Sequence, residues 1–182
     1  GAVLEHYEHP RAVLKPGRPY RDFIAWLEDR DSERDRVYWR KVLAGFTAPT
    51  PLPHASPVGS GQSSRELVLD ASVTGDLEAR ARDLQITTAT LVQASWSLLL
   101  SRCVREEEVV FGNTVSGRSI ALDGVTEMVG LFINTLPVRI TVDPDQRLDD
   151  WLRAIHASAS EREDHAHTAL ADIAACSALP PG

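Results

Sequence analysis

Few stretches of this chain carry residue types at spacings that do chemistry, and the surroundings of each decide what it is. Gly112 to Ser119 reads GNTVSGRS, a glycine-bounded run ending in a basic residue and a hydroxyl. Cradling a phosphate at that spacing needs a lysine on the β/γ-phosphates and a helix N-terminus behind the loop. Arg118 stands at the lysine position, and the IALDG that follows supplies no helix before Gly124. Nor does a second strand end in an aspartate to hold Mg²⁺, so no nucleotide site is predicted. Asp164, His165 and His167 form the next cluster. Histidines two apart on a helix project to different faces, and no third ligand is spaced to help. The expectation is a solvated helix end and no metal site. There is no Gly-x-Ser-x-Gly elbow and no Cys/His pair with a supporting motif. None of the six histidines has a context that marks a general base, and no catalytic residue is assigned.

A quieter signal lies in Glu127 to Val142, EMVGLFINTLPVRITV. Leu131, Ile133, Val138, Ile140 and Val142 have the composition of a buried strand. Asn134 interrupts that run, and a polar amide there must find partners or face solvent. Pro137 removes one ladder donor, which places the strand beside an edge, a bulge or a cleft. Asn134 is therefore read as a residue that looks into something.

The elements that position these residues follow from periodicity. Pro19 opens a helix whose apolar face is Tyr20, Phe23, Ile24 and Leu27. Ser32 and Asp35 have capping-box spacing ahead of a second helix through Tyr38, Trp39 and Leu43, with Gly45 as its stop. Residues 47–64 are rich in proline, glycine and serine and read as a loop. Arg65 to Asp70 alternates as a short strand. An amphipathic helix over about residues 73–84 turns Leu77 and Leu84 inward. Thr88 to Arg102 is apolar nearly all round and is expected to lie buried between layers. Glu108 to Val115 is an interior strand. Asp143 to Asp145 is a turn, a helix from Leu148 presents Trp151, Leu152 and Ile155, and a last short helix is capped by Thr168. No internal repeat is visible. The order implies an α/β layer arrangement, helices packed on a small mixed sheet of at most three or four strands.

Composition bounds the partners. The 182 residues are 43% hydrophobic and 25% charged with net charge -7, which fits a globular fold of one domain or two small lobes. Without a basic cluster, nucleic acid and anionic membrane surfaces are excluded as partners. Cys103 and Cys176 lack CxxC spacing and read as reduced thiols. With no signal-peptide pattern and no membrane-length apolar run, the cytoplasm is the expected compartment.

Four ordered motifs resemble one family. Tyr20, Asp22, Phe23 and Trp26 match Tyr-x-Asp-(Phe/Tyr)-x-x-Trp of nonribosomal peptide synthetase condensation domains. Gly130, Phe132, Asn134 and Thr135, with Arg139 trailing, match that family's Gly-x-Phe-x-Asn-Thr motif. ATLVQASWSLLLSRC and EEEVVFGNTVSGR resemble its helix and strand leading to Val-Ser-Gly-Arg. His165 to Ile173 resembles a segment that usually has proline where Ala169 stands.

The resemblance implies a chloramphenicol acetyltransferase-like fold, two lobes in a V around a tunnel. It implies joining of an aminoacyl or peptidyl thioester to an amine, both on phosphopantetheine arms of carrier proteins, with no bound cofactor. The family's His-His-x-x-x-Asp-Gly motif does not occur in this sequence. The chain therefore reads as residues 1–18, an irregular lead-in, and residues 19–182, a C-terminal lobe whose catalytic partner lobe is absent. Such a fragment is expected to be inactive alone and to self-associate or bind a partner chain. The alternative is a non-catalytic module that docks carrier proteins or partner enzymes. By resemblance, Asn134, Ser116, Gly117 and Arg118 face the tunnel. Tyr20, Asp22, Trp26, Gly130, Phe132, Thr135 and Arg139 belong to the motifs' structural frame.

Overall fold

The computed structural model describes residues 17–51 and 64–179. All of the expected lead-in except its last two residues lies outside that range, as do residues 52–63 of the expected loop. Among the described residues six helices and two strands follow in order: α1 (Arg21–Glu28), α2 (Ser32–Val42), α3 (Ala71–Asp83), α4 (Thr88–Val104), β1 (Glu108–Val115), β2 (Asn134–Thr141), α5 (Leu148–Glu163) and α6 (Leu170–Ala174). No helix among the described residues is long and apolar enough to cross a membrane.

The sheet is small, as expected, but among the described residues it is antiparallel rather than mixed. β1 pairs β2 from Glu108 opposite Thr141 to Val115 opposite Asn134. Pro137 sits opposite Gly112. Pro137's strand has β1 on one side and no described strand on the other, the edge position a proline tolerates. β2 alternates cleanly, with Leu136, Val138 and Ile140 buried, the period a half-covered strand requires.

Three apolar clusters form the interior, and one stretch stitches them together. Phe132 joins Phe23, Val125 and Met128. Leu136 joins Tyr38, Trp39, Leu43, Ala166 and Ile173. Val138 and Ile140 join Val109, Leu100, Trp151, Leu152 and Ile155. A tether completes the last: Trp151 Nε1 donates to Thr141 O at 2.8 Å.

Several expectations are corrected. Residues 65–70 form no strand, since no described strand lies beside them to supply ladder bonds. Leu67, Val68 and Leu69 are exposed instead. The strand read from Glu127 begins only at Asn134; Leu131 and Ile133 before it are exposed, while Met128 and Phe132 are buried. Ala81 of α3 and its C-cap Leu84 face the core and Leu77 does not; in α1 Ile24 is exposed. The Ser32–Asp35 capping box does not form. Asp31 caps α2, accepting from Glu33 N and Arg34 N, because Asp35 is turned inward and used elsewhere. Thr168 does not cap α6, which starts after Ala169 with no side-chain cap.

α4 departs most from its reading. Its buried stripe is Thr90, Ala94, Ser97 and Leu100, whereas Val92, Trp96, Leu98 and Leu99 are exposed. Small side chains at Ala94 and Ser97 let the helix sit close on its neighbours. A sequence apolar on every side gave no sign of which face that was.

Candidate functional site

Two junctions position the residues that the motifs mark. The first is steric. Gly117 is buried with φ +67°, and a Cβ placed there would stand 1.8 Å from Phe132 O. Only glycine allows both the left-handed backbone and that approach. Gly130 permits a second approach, since its Cβ would lie 2.0 Å from Tyr20 Cδ2. Tyr20 then reaches over to donate its hydroxyl to Leu131 O at 2.6 Å. Its ring meets Phe132 edge-on at 5.2 Å, and Phe23 lies 4.6 Å from Phe132. Arg118 closes the junction: Nη1 donates to Val125 O and Met128 O, and the guanidinium lies 4.1 Å above the Phe132 ring. A cation over an aromatic face adds to those bonds. Ser116 is exposed, its Oγ accepting from Arg118 N at 3.4 Å.

The second junction is polar. Asp35 projects inward from α2 and is buried. Its carboxylate lies 2.6 Å from His165 Nδ1 and 2.9 Å from His167 Nε2, on the turn after α5. An ionised carboxylate only accepts, so those two ring nitrogens carry the protons. Both imidazoles are nearly closed off, with side-chain exposures of 7% and 6%. The expected solvated helix end is therefore corrected. The turn unwinds after Glu163, and without helical geometry the two rings converge on one carboxylate. Tyr38 stacks on His165 at 4.0 Å and 10°, and burial pushes its phenol up to about 12. Burial also holds His167 below its ordinary range, against the opposing pull of Asp35.

Asn134 grips the same turn from the other side. Its Nδ2 donates to Ala166 O at 2.9 Å and Thr168 O at 2.7 Å, and its Oδ1 accepts from Thr135 N at 2.9 Å. Both donors and one acceptor lone pair of the amide are used. A cleft of about 140 Å³ brings Gly117, Phe132, Asn134 and His167 together with Phe23 and Ala169. Among the motif residues this is where the two junctions meet. The arrangement holds backbone in place; the polar side chains described in it are engaged with protein partners.

The remaining motif residues stand around this centre. Asp22 pairs with Arg18 at 2.8 Å, and Arg18 donates to Asp123 O. Trp26 stacks on Phe23 and meets His167 edge-on at 5.3 Å, so it touches both junctions. Arg139 lies apart. It makes a bidentate pair with Glu108, at 2.8 and 2.7 Å, and donates to Val42 O and Ala44 O at the end of α2. Sequence reasoning missed Asp35 and the shared target of His165 and His167. The signal available was the failed capping box: an aspartate one turn into a helix, on the face of Tyr38 and Trp39, is a candidate for burial.

A family model described as Condensation domain matches residues 4–181. Chondramide synthase cmdD of Chondromyces crocatus is 40% identical over 167 residues, covering 90% of this chain and 4% of that protein. Bacitracin synthase 3 of Bacillus licheniformis is 38% identical over 169 residues, covering 91% of this chain and 3% of that protein. The chain thus spans a few per cent of these relatives' length. Among solved structures, the first condensation domain of the CDA synthetase superposes with TM-score 0.69 at 24% identity, covering 94% of this chain and 39% of that one. The X-domain from teicoplanin biosynthesis superposes with TM-score 0.67 at 25% identity, covering 89% of this chain and 37% of that one. This chain belongs to the condensation-domain family.

Proposed function

We propose that this chain is the C-terminal lobe of a peptide-bond-forming condensation domain. In this reading it forms one wall of a tunnel in which a carrier-bound aminoacyl or peptidyl thioester meets a carrier-bound amine. The His-His-x-x-x-Asp-Gly motif would come from a second lobe, and the substrates would arrive on phosphopantetheine arms of peptidyl carrier proteins in the cytoplasm. The observation that carries the reading is the match along residues 4–181, which includes the Gly-x-Phe-x-Asn-Thr stretch around Asn134. The share of structural neighbours that the chain covers, 39% and 37%, supports a lobe rather than a whole domain.

The chemistry then divides between lobes. The group that positions or deprotonates the amine is supplied from outside this chain. This lobe contributes placement: Asn134 holds the 166–168 backbone, and Gly117 and Phe132 set the wall beside it. Exposed apolar surface supports a covering partner. On α4 the exposed Val92, Trp96 and Leu99 fall at i, i+4 and i+7, one face of the helix. Apolar groups gathered on one protein's surface mark interaction sites.

The test is product formation from loaded carrier proteins. The chain alone is expected to give no dipeptidyl product, and the chain joined to a lobe bearing His-His-x-x-x-Asp-Gly is expected to give it. Product from the chain alone would overturn the division of labour. A titration with a loaded carrier separates this reading from a docking module, because tight binding by the lone chain favours the module. Sedimentation across concentrations addresses the covering partner: self-association is expected, and a monomer at every concentration counts against it.

A further inference from the structure

Arg162 lies in the last turn of α5 with 6% of its surface exposed. Nη2 donates to Gln93 Oε1 at 3.3 Å, its one hydrogen bond among the described residues. No carboxylate among them comes within ion-pairing distance, although Glu163 is its sequence neighbour. A guanidinium offers five N–H donors, and here one is satisfied. Removing such a charge from water without a counter-charge opposes folding, and burial indeed draws the pKa of Arg162 down. Arg139, with a bidentate carboxylate and two carbonyls, shows how the same fold treats an arginine whose role is structural.

Arg162 lines two cavities, and the one between α4, α5 and the sheet, about 200 Å³, also holds Gln93, the partner of its Nη2. Thr90, Gln93, Asn113 and His156 are its polar lining, and Val115 and Leu136 are apolar members of it. The lining is built rather than incidental. Thr90 is 2% exposed, and its Oγ1 lies 3.0 Å from Thr87 Oγ1 and 3.2 Å from His156 Nδ1. Because Gln93 Oε1 accepts from Arg162, the amide NH₂ of Gln93 is the end left to donate. A cavity of about 200 Å³ has room for a phosphate- or acetate-sized group.

We propose that this cavity is a binding site for a compact oxyanion, a carboxylate or a phosphate, held on Arg162. The planar fork of a guanidinium matches either group with two parallel hydrogen bonds. Gln93 and Asn113 supply neutral donors beside it. Glu163, also on the lining, opposes the charge and sets the affinity low. This site is distinct from the cleft at Asn134 and does not depend on the amide-forming reading.

Calorimetric titration of the full chain with inorganic phosphate, and separately with acetate, tests it at ionic strength held constant with chloride. Saturable binding of at least one is expected, and the comparison says which chemistry the site takes. R162M is expected to abolish saturation and, without anion, to melt at or above the wild-type temperature because an unpaired charge is gone. R162K, which keeps the charge and loses the fork, is expected to weaken binding about tenfold. E163Q keeps Arg162 and is expected to tighten binding. Absence of saturable binding of both anions overturns the proposal, as does undiminished binding by R162M. Should R162M fail to fold, E163Q decides: unchanged or weaker binding counts against the site.

Discussion

The two junctions that hold the 116–135 stretch reach the same end by opposite means. At Gly117 and Gly130 the fastening is made by what is absent: two missing Cβ atoms let Phe132 O and the Tyr20 ring come within distances no side chain permits. At Asp35 it is made by added groups, a buried carboxylate that draws two imidazoles out of solvent. The first contains no group that titrates near neutrality and tolerates no enlargement. The second is built from polar groups and includes His167, whose proton affinity burial lowers. One fold therefore carries a rigid fastening and an ionisable one, 132 residues bridged in sequence by the latter.

Substitution at Gly117 should have the largest effect. Gly117→Ala combines a left-handed backbone cost with a clash against main chain that cannot rotate away. A loss of about 3–5 kcal/mol is expected, read as a shift in the chemical-denaturation midpoint. Tolerance at wild-type stability would mean that the Phe132 carbonyl is free to move, and the steric account would fail. Asp35→Ala comes next, at about 2–4 kcal/mol, because it strands two buried ring N–H groups. If its cost matches that of Ser116→Ala at the exposed rim, the carboxylate is not what holds the turn.

The two junctions were unequally legible. Gly117 and Gly130 fell inside motifs, and glycine in a short fixed pattern announces a backbone that needs it. β2 was legible from Val138 and Ile140, since period 2 is local information, whereas Leu131 and Ile133, read into the same run, lie before it and are exposed. Asp35 was read as a cap because capping is also local, whereas its true partners stand 130 and 132 residues away. His165 and His167 were misplaced for a related reason: helical spacing was assumed where the chain had already left the helix. α4 shows the remaining gap. When every face is apolar, the buried one is selected by neighbours that sequence does not place, and here the small residues won.

Asn134 joins the two junctions, and its removal is a finer probe. Asn134→Ala leaves Ala166 O, Thr168 O and Thr135 N without their partner, an expected cost of about 1–3 kcal/mol. Combined with Asp35→Ala the losses should be less than additive, since both grips act on the same turn. Strict additivity would separate Asn134 from the polar junction and return it to the role of a group facing open space.

The smallest effect separates the junctions by acidity. Burial holds the pKa of His167 below its ordinary value, with Asp35 pulling up and Arg30 and His165 pushing down. The unfolded chain, near about 6.5 for histidine, therefore binds this proton more tightly than the fold does. Stability from the neutral ring is complete above that unfolded value and is lost as pH falls below it, down to the folded pKa. Denaturation midpoints should decline from about pH 7.5 to about pH 5.5 in the wild type. In H167Q, which keeps an N–H donor and cannot titrate, the slope should flatten. In Gly130→Ala the whole curve should drop without changing slope, because the steric junction binds no proton. An H167Q slope equal to that of the wild type would assign the acid sensitivity elsewhere and leave the polar junction as insensitive to pH as its neighbour.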